Sequence, residues 1–270
     1  MCIQLAAADY VGSAACKTCH ADVWFNFYKN PHYKSVATGC EGCHGPGKAH
    51  VEAGGGKATI PRAFSLMEPK AVLDACLNCH ARDFSKANIR RSPHSLADVA
   101  CTSCHSIHKS PAAQFLLAKK QTDLCYSCHA DVRAQFSMPF KHRVNEGFMQ
   151  CTDCHNPHGT LARAEGNEEA CLKCHADKRG PFAYEHPPVR VEGCGVCHMA
   201  HGSTNAKLLV RPVVFTLCLR CHNGADSFGT RNNGIPALTN THNMLDPRYQ
   251  RCTLCHVRIH GSNSDGYFFR

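Results

Sequence analysis

The chain has 270 residues, of which 21 are cysteine and 20 histidine, and its formal net charge is +9 at neutral pH. A basic balance usually indicates acidic partners or nucleic acid, but no other nucleic-acid-binding pattern accompanies it. The apolar stretch KLLVRPVVFTLCL is interrupted by Arg211 and Pro212 and is too short to cross a bilayer. The sequence therefore predicts neither a nucleic-acid partner nor a transmembrane helix of its own.

The N-terminal segment, 1–15, precedes the first repeated motif. Its start, MCIQLAAADY, is too short for a signal peptide. However, LAAAD resembles the end of one, with a cut after Ala8, so 1–8 is a candidate signal-peptide remnant and the start is expected to be truncated or misassigned. Lipidation of Cys2 is an alternative, although no lipobox precedes it.

From Cys16 onward the motif C-x-x-C-H occurs ten times, whereas composition alone predicts roughly 0.1 occurrences. On one helical turn, positions i, i+3 and i+4 face the same way. Two cysteines can therefore bond to the vinyl groups of one porphyrin while the histidine binds its iron, which is the attachment pattern of c-type haem. The motifs predict ten covalently attached c-type haems (iron).

The predicted covalent attachment residues are Cys16, Cys19, Cys40, Cys43, Cys76, Cys79, Cys101, Cys104, Cys125, Cys128, Cys151, Cys154, Cys171, Cys174, Cys194, Cys197, Cys218, Cys221, Cys252 and Cys255. The predicted proximal iron ligands are His20, His44, His80, His105, His129, His155, His175, His198, His222 and His256. One further histidine is available for each motif. These predicted distal ligands are His32, His50, His94, His108, His142, His158, His186, His201, His242 and His260.

Other uses of paired cysteines explain the sequence less well. Tandem zinc ribbons use similar C-x-x-C pairs, and disulfide scaffolds are also cysteine-rich, but neither requires a histidine after every second cysteine. Iron–sulfur clusters need cysteine quartets and leave the histidines unused. The propionates of ten haems would also offset the positive charge, and many of the lysines and arginines are expected to pair with them.

The motifs form an internal repeat. Each repeat contains a first motif, a middle histidine, a second motif and a closing histidine. We predict a single continuous domain built as an elongated array of two-haem units, mostly α and irregular, with short helices, long loops and almost no sheet. TDLCYSCHADVRAQF, from Thr122 to Phe136, is expected to form one of these helices. The five units are 16–50, 76–108, 125–158, 171–201 and 218–260.

Chain reach restricts how the distal histidines can be used. Three residues span at most about 10–11 Å, so His158 cannot pass around a porphyrin edge to the haem that His155 binds. We predict exchange within a unit, in which the closing histidine serves the first haem and the middle histidine the second. His158 would then serve the haem on Cys125 and Cys128. In the alternative, middle histidines bind their own haems and closing histidines reach a neighbouring unit.

Two classes of function compete. A multihaem enzyme of the nitrite or hydroxylamine type needs an open iron position, but twenty histidines fill both axial positions of ten haems. We therefore predict an electron-transfer protein with no catalytic residues. Covalent attachment of this haem takes place outside the cytoplasm, so the protein is predicted to be exported.

Ten C-x-x-C-H motifs with C-x-x-C-H-x-x-H endings, and the stretch CEGCHGPGKAH from Cys40 to His50, resemble the periplasmic decahaem cytochromes of porin–cytochrome conduits (the MtrA/DmsE type). The resemblance runs from about Tyr10 to His260. It implies extracellular or anaerobic respiration, with electrons crossing the outer membrane through a β-barrel porin.

The implied redox partners lie at both ends. They are an outer-surface multihaem cytochrome and, as donor, a quinol-dehydrogenase cytochrome or a periplasmic carrier. The implied location is the periplasm, in association with the outer membrane. Because the chain is compact for this family, a soluble periplasmic shuttle and a subunit of an extracellular cytochrome filament stay open as alternatives.

Overall fold

Short helices joined by irregular segments make up the computed structural model, which describes residues 9–35, 39–111, 115–159, 167–222 and 242–269. The candidate signal-peptide remnant, with Cys2, lies outside the described residues. The predicted fold class, mostly α and irregular with almost no sheet, is confirmed. None of the helices in the described ranges has the length and apolar character needed to span a membrane.

The chain, which the sequence suggested to be one continuous domain, groups into two compact bodies. The first body comprises Met1–Cys128 with Asn156–Leu161, and the second comprises His129–His155 with Ala162–Arg270. The predicted third two-haem unit, 125–158, therefore has residues in both bodies. The division into five two-haem units stays a prediction.

Among the described residues, the first body contains nine short α-helices, three of which begin at a proline. Proline suits the first helical turn because its missing N–H would have no intrahelical acceptor there. The α-helices are α1 Ser13–Cys19, α2 Ala21–Tyr28, α3 Pro31–Ser35, α4 Gly39–His44, α5 Lys48–Glu52, α6 Pro69–His80, α7 Pro93–Leu96, α8 Cys101–Cys104 and α9 Gln121–Tyr126. The 3₁₀ turns are Lys57–Thr59, Phe64–Leu66, Phe84–Lys86 and Ile89–Arg91.

In the described part of the second body there are five α-helices and a two-stranded antiparallel ribbon. Phe140 lies opposite Ser203, and Lys141 opposite Gly202. The α-helices are α10 Ala130–Gln135, α11 Cys151–Cys154, α12 Asn167–Leu172, α13 Pro187–Val191 and α14 Val214–Cys218, and the strands are β1 Phe140–Lys141 and β2 Gly202–Ser203. The 3₁₀ turns are Ala176–Lys178, Cys194–Val196, Ala206–Leu208 and Cys252–Leu254.

The single helix predicted from Thr122 to Phe136 is wrong. The chain forms α9 and α10 instead, and His129 between them has the non-helical angles φ −97° and ψ 59°. His20 makes a similar break between α1 and α2, with φ −112° and ψ 46°. The C-x-x-C-H motif needs only one helical turn, so the chain can leave the helix at the histidine and begin another element there.

Buried apolar side chains are few among the described residues. The first body buries Phe27, Leu116 and one face of α6, and the second body buries Phe136 and Val144. The buried residues of α6 are Val72, Leu73 and Leu77. The polypeptide by itself therefore supplies a small apolar core, which agrees with a chain that wraps another component.

The buried carboxylate of Glu41 organises the start of the first body. It lies inside the motif C-E-G-C-H and is 3% exposed. Its oxygens accept the backbone N–H groups of Val11 at 3.0 Å, Gly12 at 2.8 Å and Gly47 at 2.7 Å. Because a buried carboxylate needs such donors, these bonds fix the loop that leads from the second motif into α5, the helix that carries His50.

Candidate haem-binding sites

The C-x-x-C-H motifs adopt the helical turn that the sequence predicts. In seven motifs the backbone N–H of the histidine donates to the carbonyl oxygen of the first cysteine at 2.9–3.0 Å. This i to i+4 bond brings both cysteines and the histidine to one side of the turn. The seven histidines are His20, His105, His155, His175, His198, His222 and His256.

The cysteines show which motifs are neighbours. Within a predicted unit, the first cysteines of the two motifs are neighbours: Cys16 with Cys40, Cys76 with Cys101, Cys171 with Cys194, and Cys218 with Cys252. Between units, second cysteines interact electrostatically: Cys43 with Cys79, Cys104 with Cys128, Cys154 with Cys174, and Cys197 with Cys221. Motifs that are consecutive in the sequence are therefore adjacent within each body.

These thiols are partly buried, and their contacts shift their acidity. Burial, followed by the Cys40 thiol, raises the pKa of Cys16 to about 11. In the same way, burial and then Cys252 raise the pKa of Cys218 to about 12. The twenty motif cysteines, all within the described ranges, form no disulfide with one another.

Among the contacts that the structure describes, histidine rings form nine pairs with nearly constant spacing. Each pair joins a predicted proximal to a predicted distal histidine. In the first body the pairs and their centroid distances are His20–His50 6.1 Å, His32–His80 5.9 Å, His44–His108 5.8 Å and His105–His158 6.2 Å. In the second body they are His142–His175 6.3 Å, His155–His201 5.9 Å, His186–His222 6.2 Å, His198–His260 6.2 Å and His242–His256 6.2 Å.

The predicted exchange within a unit holds for two of these pairs, His20–His50 and His242–His256, and is wrong for the other seven. His158 lies against His105 rather than His129, so its predicted assignment to the site of Cys125 and Cys128 is wrong. The reach argument itself agrees with the structure, because His155 and His158 belong to different pairs.

The seven other pairs follow one rule, a shift by one unit. The closing histidine lies against the second-motif histidine of the preceding unit, as in His44–His108. The middle histidine lies against the first-motif histidine of the following unit, as in His32–His80. Because a closing histidine three or four residues after its motif cannot turn back around its own site, it extends to a neighbouring one. Of the alternative, the part in which closing histidines reach another unit holds for His108, His158, His201 and His260. The part in which middle histidines bind their own haems is wrong for His32, His142 and His186, which lie against the following unit.

Hydrogen bonds at Nδ1 orient many of these rings. Backbone carbonyls are the acceptors for six of them, with partners Arg62 for His44, Pro157 for His94, Phe115 for His105, Ala200 for His142, Lys207 for His198 and Tyr267 for His256. Side-chain oxygens lie near four others: Asn30 for His32, Thr59 for His50, Asp83 for His80 and Gln135 for His201. A metal-bound histidine characteristically donates its other N–H in this way, which leaves Nε2 for the metal.

Burial favours the neutral imidazole at many of the predicted distal ligands. It is the first cause that lowers the pKa of six of them, His32, His108, His158, His186, His201 and His260. Neutral imidazole is the form that binds a metal, so the environment prepares these rings for coordination before any metal is present.

Sequence reasoning missed the residues that hold the rings. A sequence signal exists for some of them: N-P-H occurs at 30–32 and at 156–158. In both copies the asparagine Oδ1 accepts the backbone N–H of the histidine, at 2.8 Å from His32 and 3.0 Å from His158. Gln135, which lies 66 positions from His201, gives no signal in the sequence.

The paired rings fit the axial positions of haem iron. Imidazole–metal bonds are about 2.0–2.1 Å long, which places two rings on opposite sides of one iron with centroids about 6 Å apart. The nine measured distances lie between 5.8 and 6.3 Å. Among the described residues, no cluster of three or more His, Cys, Asp or Glu side chains is placed to hold a metal ion by itself. Two imidazoles beside a cysteine pair are thus the donor set that the structure offers.

Family models agree with this donor set. A model described as Doubled CXXCH motif matches 94–134, 142–180 and 186–227. A model described as Cytochrome c554 and c-prime matches 52–106. The motifs, the paired rings and these matches define a multihaem c-type cytochrome, which transfers electrons by covalently attached haems.

Known relatives identify the family. The chain is 33% identical to multiheme cytochrome MtrA of Shewanella baltica (strain OS185) over 271 positions, which cover 93% of this chain and 79% of that protein. The chain belongs to the MtrA family of multihaem cytochromes.

Two further relatives are more distant or shorter in overlap. Cytochrome c-type protein NrfB of Escherichia coli O6:H1 is 32% identical over 44% of this chain and 66% of that protein. High-molecular-weight cytochrome c of Nitratidesulfovibrio vulgaris is 24% identical over 91% of this chain and 46% of that protein.

Proposed function

We propose that the chain holds ten covalent haems, each between two histidines, and carries electrons from site to site in sequence order. The observation that carries this proposal is the set of nine imidazole pairs with a spacing of 5.8–6.3 Å. In each site the two motif cysteines would form thioethers and the motif histidine would be the proximal ligand. The second histidine of each pair would be the distal ligand.

The paired histidines favour electron transfer over catalysis. Haem supplies a one-electron couple whose potential depends on its axial ligands and their hydrogen bonds. A substrate needs an open coordination position, and two imidazoles on opposite sides leave none. The Nδ1 bonds, such as that from His44 to the Arg62 carbonyl at 2.9 Å, hold the rings in place and so limit rearrangement when an electron arrives.

The order of the sites follows from the cysteine contacts. First cysteines meet inside a unit, as with Cys16 and Cys40, and second cysteines meet between units, as with Cys43 and Cys79. Within each body, this alternation supports an arrangement in which each motif neighbours the motif that follows it in the sequence. The chain thus supports a single route through consecutive sites.

We further propose that this route lies in a porin–cytochrome conduit across the outer membrane, and that the protein is exported to the periplasm. The partners would be an outer-membrane porin, an outer-surface multihaem cytochrome and a periplasmic or quinol-dehydrogenase cytochrome donor. Membership of the MtrA family supports this role. Fractionation of the source cells tests it: a porin should co-purify with the protein from outer membranes, and recovery of the protein alone from the soluble periplasm would favour the shuttle.

Spectroscopy tests the sites separately from the location. The intact protein should contain ten haems by mass, all low-spin in electron paramagnetic resonance (EPR) spectra, and the reduced protein should bind negligible carbon monoxide. A stoichiometric high-spin haem would show an open coordination position and would support the enzyme instead.

A further inference from the structure

His80 differs from the other histidines whose Nδ1 partner is described. Its Nδ1 lies 2.7 Å from Oδ2 of Asp83. The other described Nδ1 partners are backbone carbonyls and neutral side-chain oxygens, such as that of Gln135 at 3.0 Å from His201. Among these contacts, the one at His80 therefore places a carboxylate on the ring of a proposed ligand.

Local backbone geometry holds Asp83 in this position. Helix α6 ends at His80, and the N–H of Asp83 donates to the His80 carbonyl at 3.3 Å. Asp83 then precedes the 3₁₀ turn Phe84–Lys86, and the Lys86 N–H donates to the Asp83 carbonyl at 2.9 Å. Two consecutive turns thus bring both side chains back towards the imidazole.

Lys86 keeps this carboxylate charged and oriented. Its Nζ lies 2.7 Å from the same Oδ2 atom that faces His80. An aspartate side chain is ionised at neutral pH, and the ammonium group of Lys86 favours that charged form.

An anionic acceptor changes the imidazole that donates to it. It draws the Nδ1 proton towards itself and makes Nε2 a stronger electron donor. A stronger donor stabilises ferric over ferrous iron, so the reduction potential falls. Backbone carbonyls and amides have the same effect to a smaller extent because they carry no net charge.

We propose that Asp83 acts through His80 to set the site of Cys76 and Cys79 at a lower reduction potential than the sites whose Nδ1 acceptors are neutral. This inference rests on the proposed ligation by His32 and His80. The third site in the sequence would then be among the last to accept an electron and would separate the first two sites from those that follow.

The primary test is Asp83→Asn in the full haem-loaded protein. One haem should shift about tenfold towards the ferrous state, which corresponds to a potential about 59 mV higher for one electron. The EPR signal of one low-spin ferric haem should change with it. A redox titration followed by visible absorbance and EPR measures both effects.

Two matched variants distinguish the effect of the Asp83–His80 hydrogen bond from the effect of changing a nearby negative charge. Gln135→Glu places a carboxylate beside His201. It should lower the reduction potential of the His155–His201 site by a similar amount. Asp74→Asn also removes an acidic group of the first body, one whose carboxylate is paired with Arg90 at 2.7 Å, and should leave all potentials unchanged. An equal rise from Asp74→Asn would overturn the role of the hydrogen bond.

The outcomes also distinguish this inference from the proposed function. Ten low-spin haems with unchanged potentials in Asp83→Asn would overturn the inference and leave the ligation intact. A high-spin haem appearing in Asp83→Asn would show that Asp83 merely holds His80 in place. A high-spin haem at this site in the unaltered protein would contradict the ligation itself. In a variant with alanine at Cys76 and Cys79, Asp83→Asn should have no effect on the other potentials.

Discussion

The terminal histidine pairs differ from the interior ones. His20–His50 closes within the first predicted two-haem unit, and His242–His256 closes within the fifth. An interior pair such as His44–His108 joins two consecutive units instead. The same contrast occurs in both bodies, near the start of the chain in one and near its end in the other.

The difference shows how a repeated chain can end. Interior units of a repeat protein depend on their neighbours, while terminal units are atypical because they lack a neighbour on one side. In the first unit, the sequence GPGKAH leads into α5 and places His50 six residues after His44. This longer spacing allows the closing histidine to pair within the same unit. In the other units the closing histidine follows its motif by three or four residues, and the four that form described pairs lie against a motif histidine of the preceding unit.

Deletion of a terminal unit tests this contrast with the largest expected effect. Removal of residues 218–270 takes away His260, the partner of His198. Each other paired motif histidine of units one to four keeps its partner, because that partner precedes residue 218. The shortened protein should hold eight haems, of which one is high-spin and binds carbon monoxide. Haem counting by mass and EPR measure the two numbers.

Deletion of 1–52 is the matched control at the other end. It removes His32 and should likewise leave one high-spin haem, the one attached next to His80. If pairs closed within every unit, both shortened proteins would be entirely low-spin. That result would contradict the shift by one unit.

A single substitution breaks one interior pair. His158→Ala should leave ten covalent haems, because no attachment motif is changed, and convert one of them to high-spin. The pair His105–His158 assigns that haem to Cys101 and Cys104. EPR of His158→Ala in a background with alanine at these two cysteines should show no high-spin signal. A persistent signal would place His158 at another site.

The free energy of unfolding offers a finer comparison between an interior pair and a terminal pair. His44 and His108 lie 64 positions apart, and His20 and His50 lie 30 apart. Where iron–histidine bonds persist as cross-links in the unfolded chain, loss of the longer loop restores more entropy to that chain, by about 0.7 kcal/mol from the logarithm of loop length. His108→Ala should therefore lower the free energy of unfolding by more than His50→Ala does. Denaturant titration of both variants measures the difference, and a larger loss in His50→Ala would contradict it.

The smallest expected effect concerns the ring orientation at a terminal pair. Thr59 Oγ1 lies 2.9 Å from Nδ1 of His50. Thr59→Val removes this neutral hydrogen bond and should cost about 0.5 kcal/mol of stability, at the low end for such bonds because the Gly56 carbonyl lies 3.1 Å from the same nitrogen. The haem should stay low-spin. Calorimetry and EPR of the variant check both expectations, and a high-spin haem would show that Thr59 is essential for ligation.

The sequence by itself determined the inventory of candidate ligand residues and the local shape of each motif. C-x-x-C-H has the spacing of one helical turn, so the side on which its three residues lie follows from helix geometry alone. The reach limit between His155 and His158 is equally local, because it depends on the length of three residues. The contact of Asp83 with His80 could also have been found, since residues three apart at a helix end are neighbours.

Only the tertiary structure decided which histidines face each other. His44 and His108 carry no mark in the sequence that joins them, and exchange within a unit satisfied the same spacing rules. The choice depends on how consecutive units pack, which brings the closing histidine of one unit to the second motif of the unit before it. The break at His129 and the contact of Gln135 with His201 have the same origin. Backbone turns and acceptors distant in the chain fix them, and neither is encoded in residue spacing.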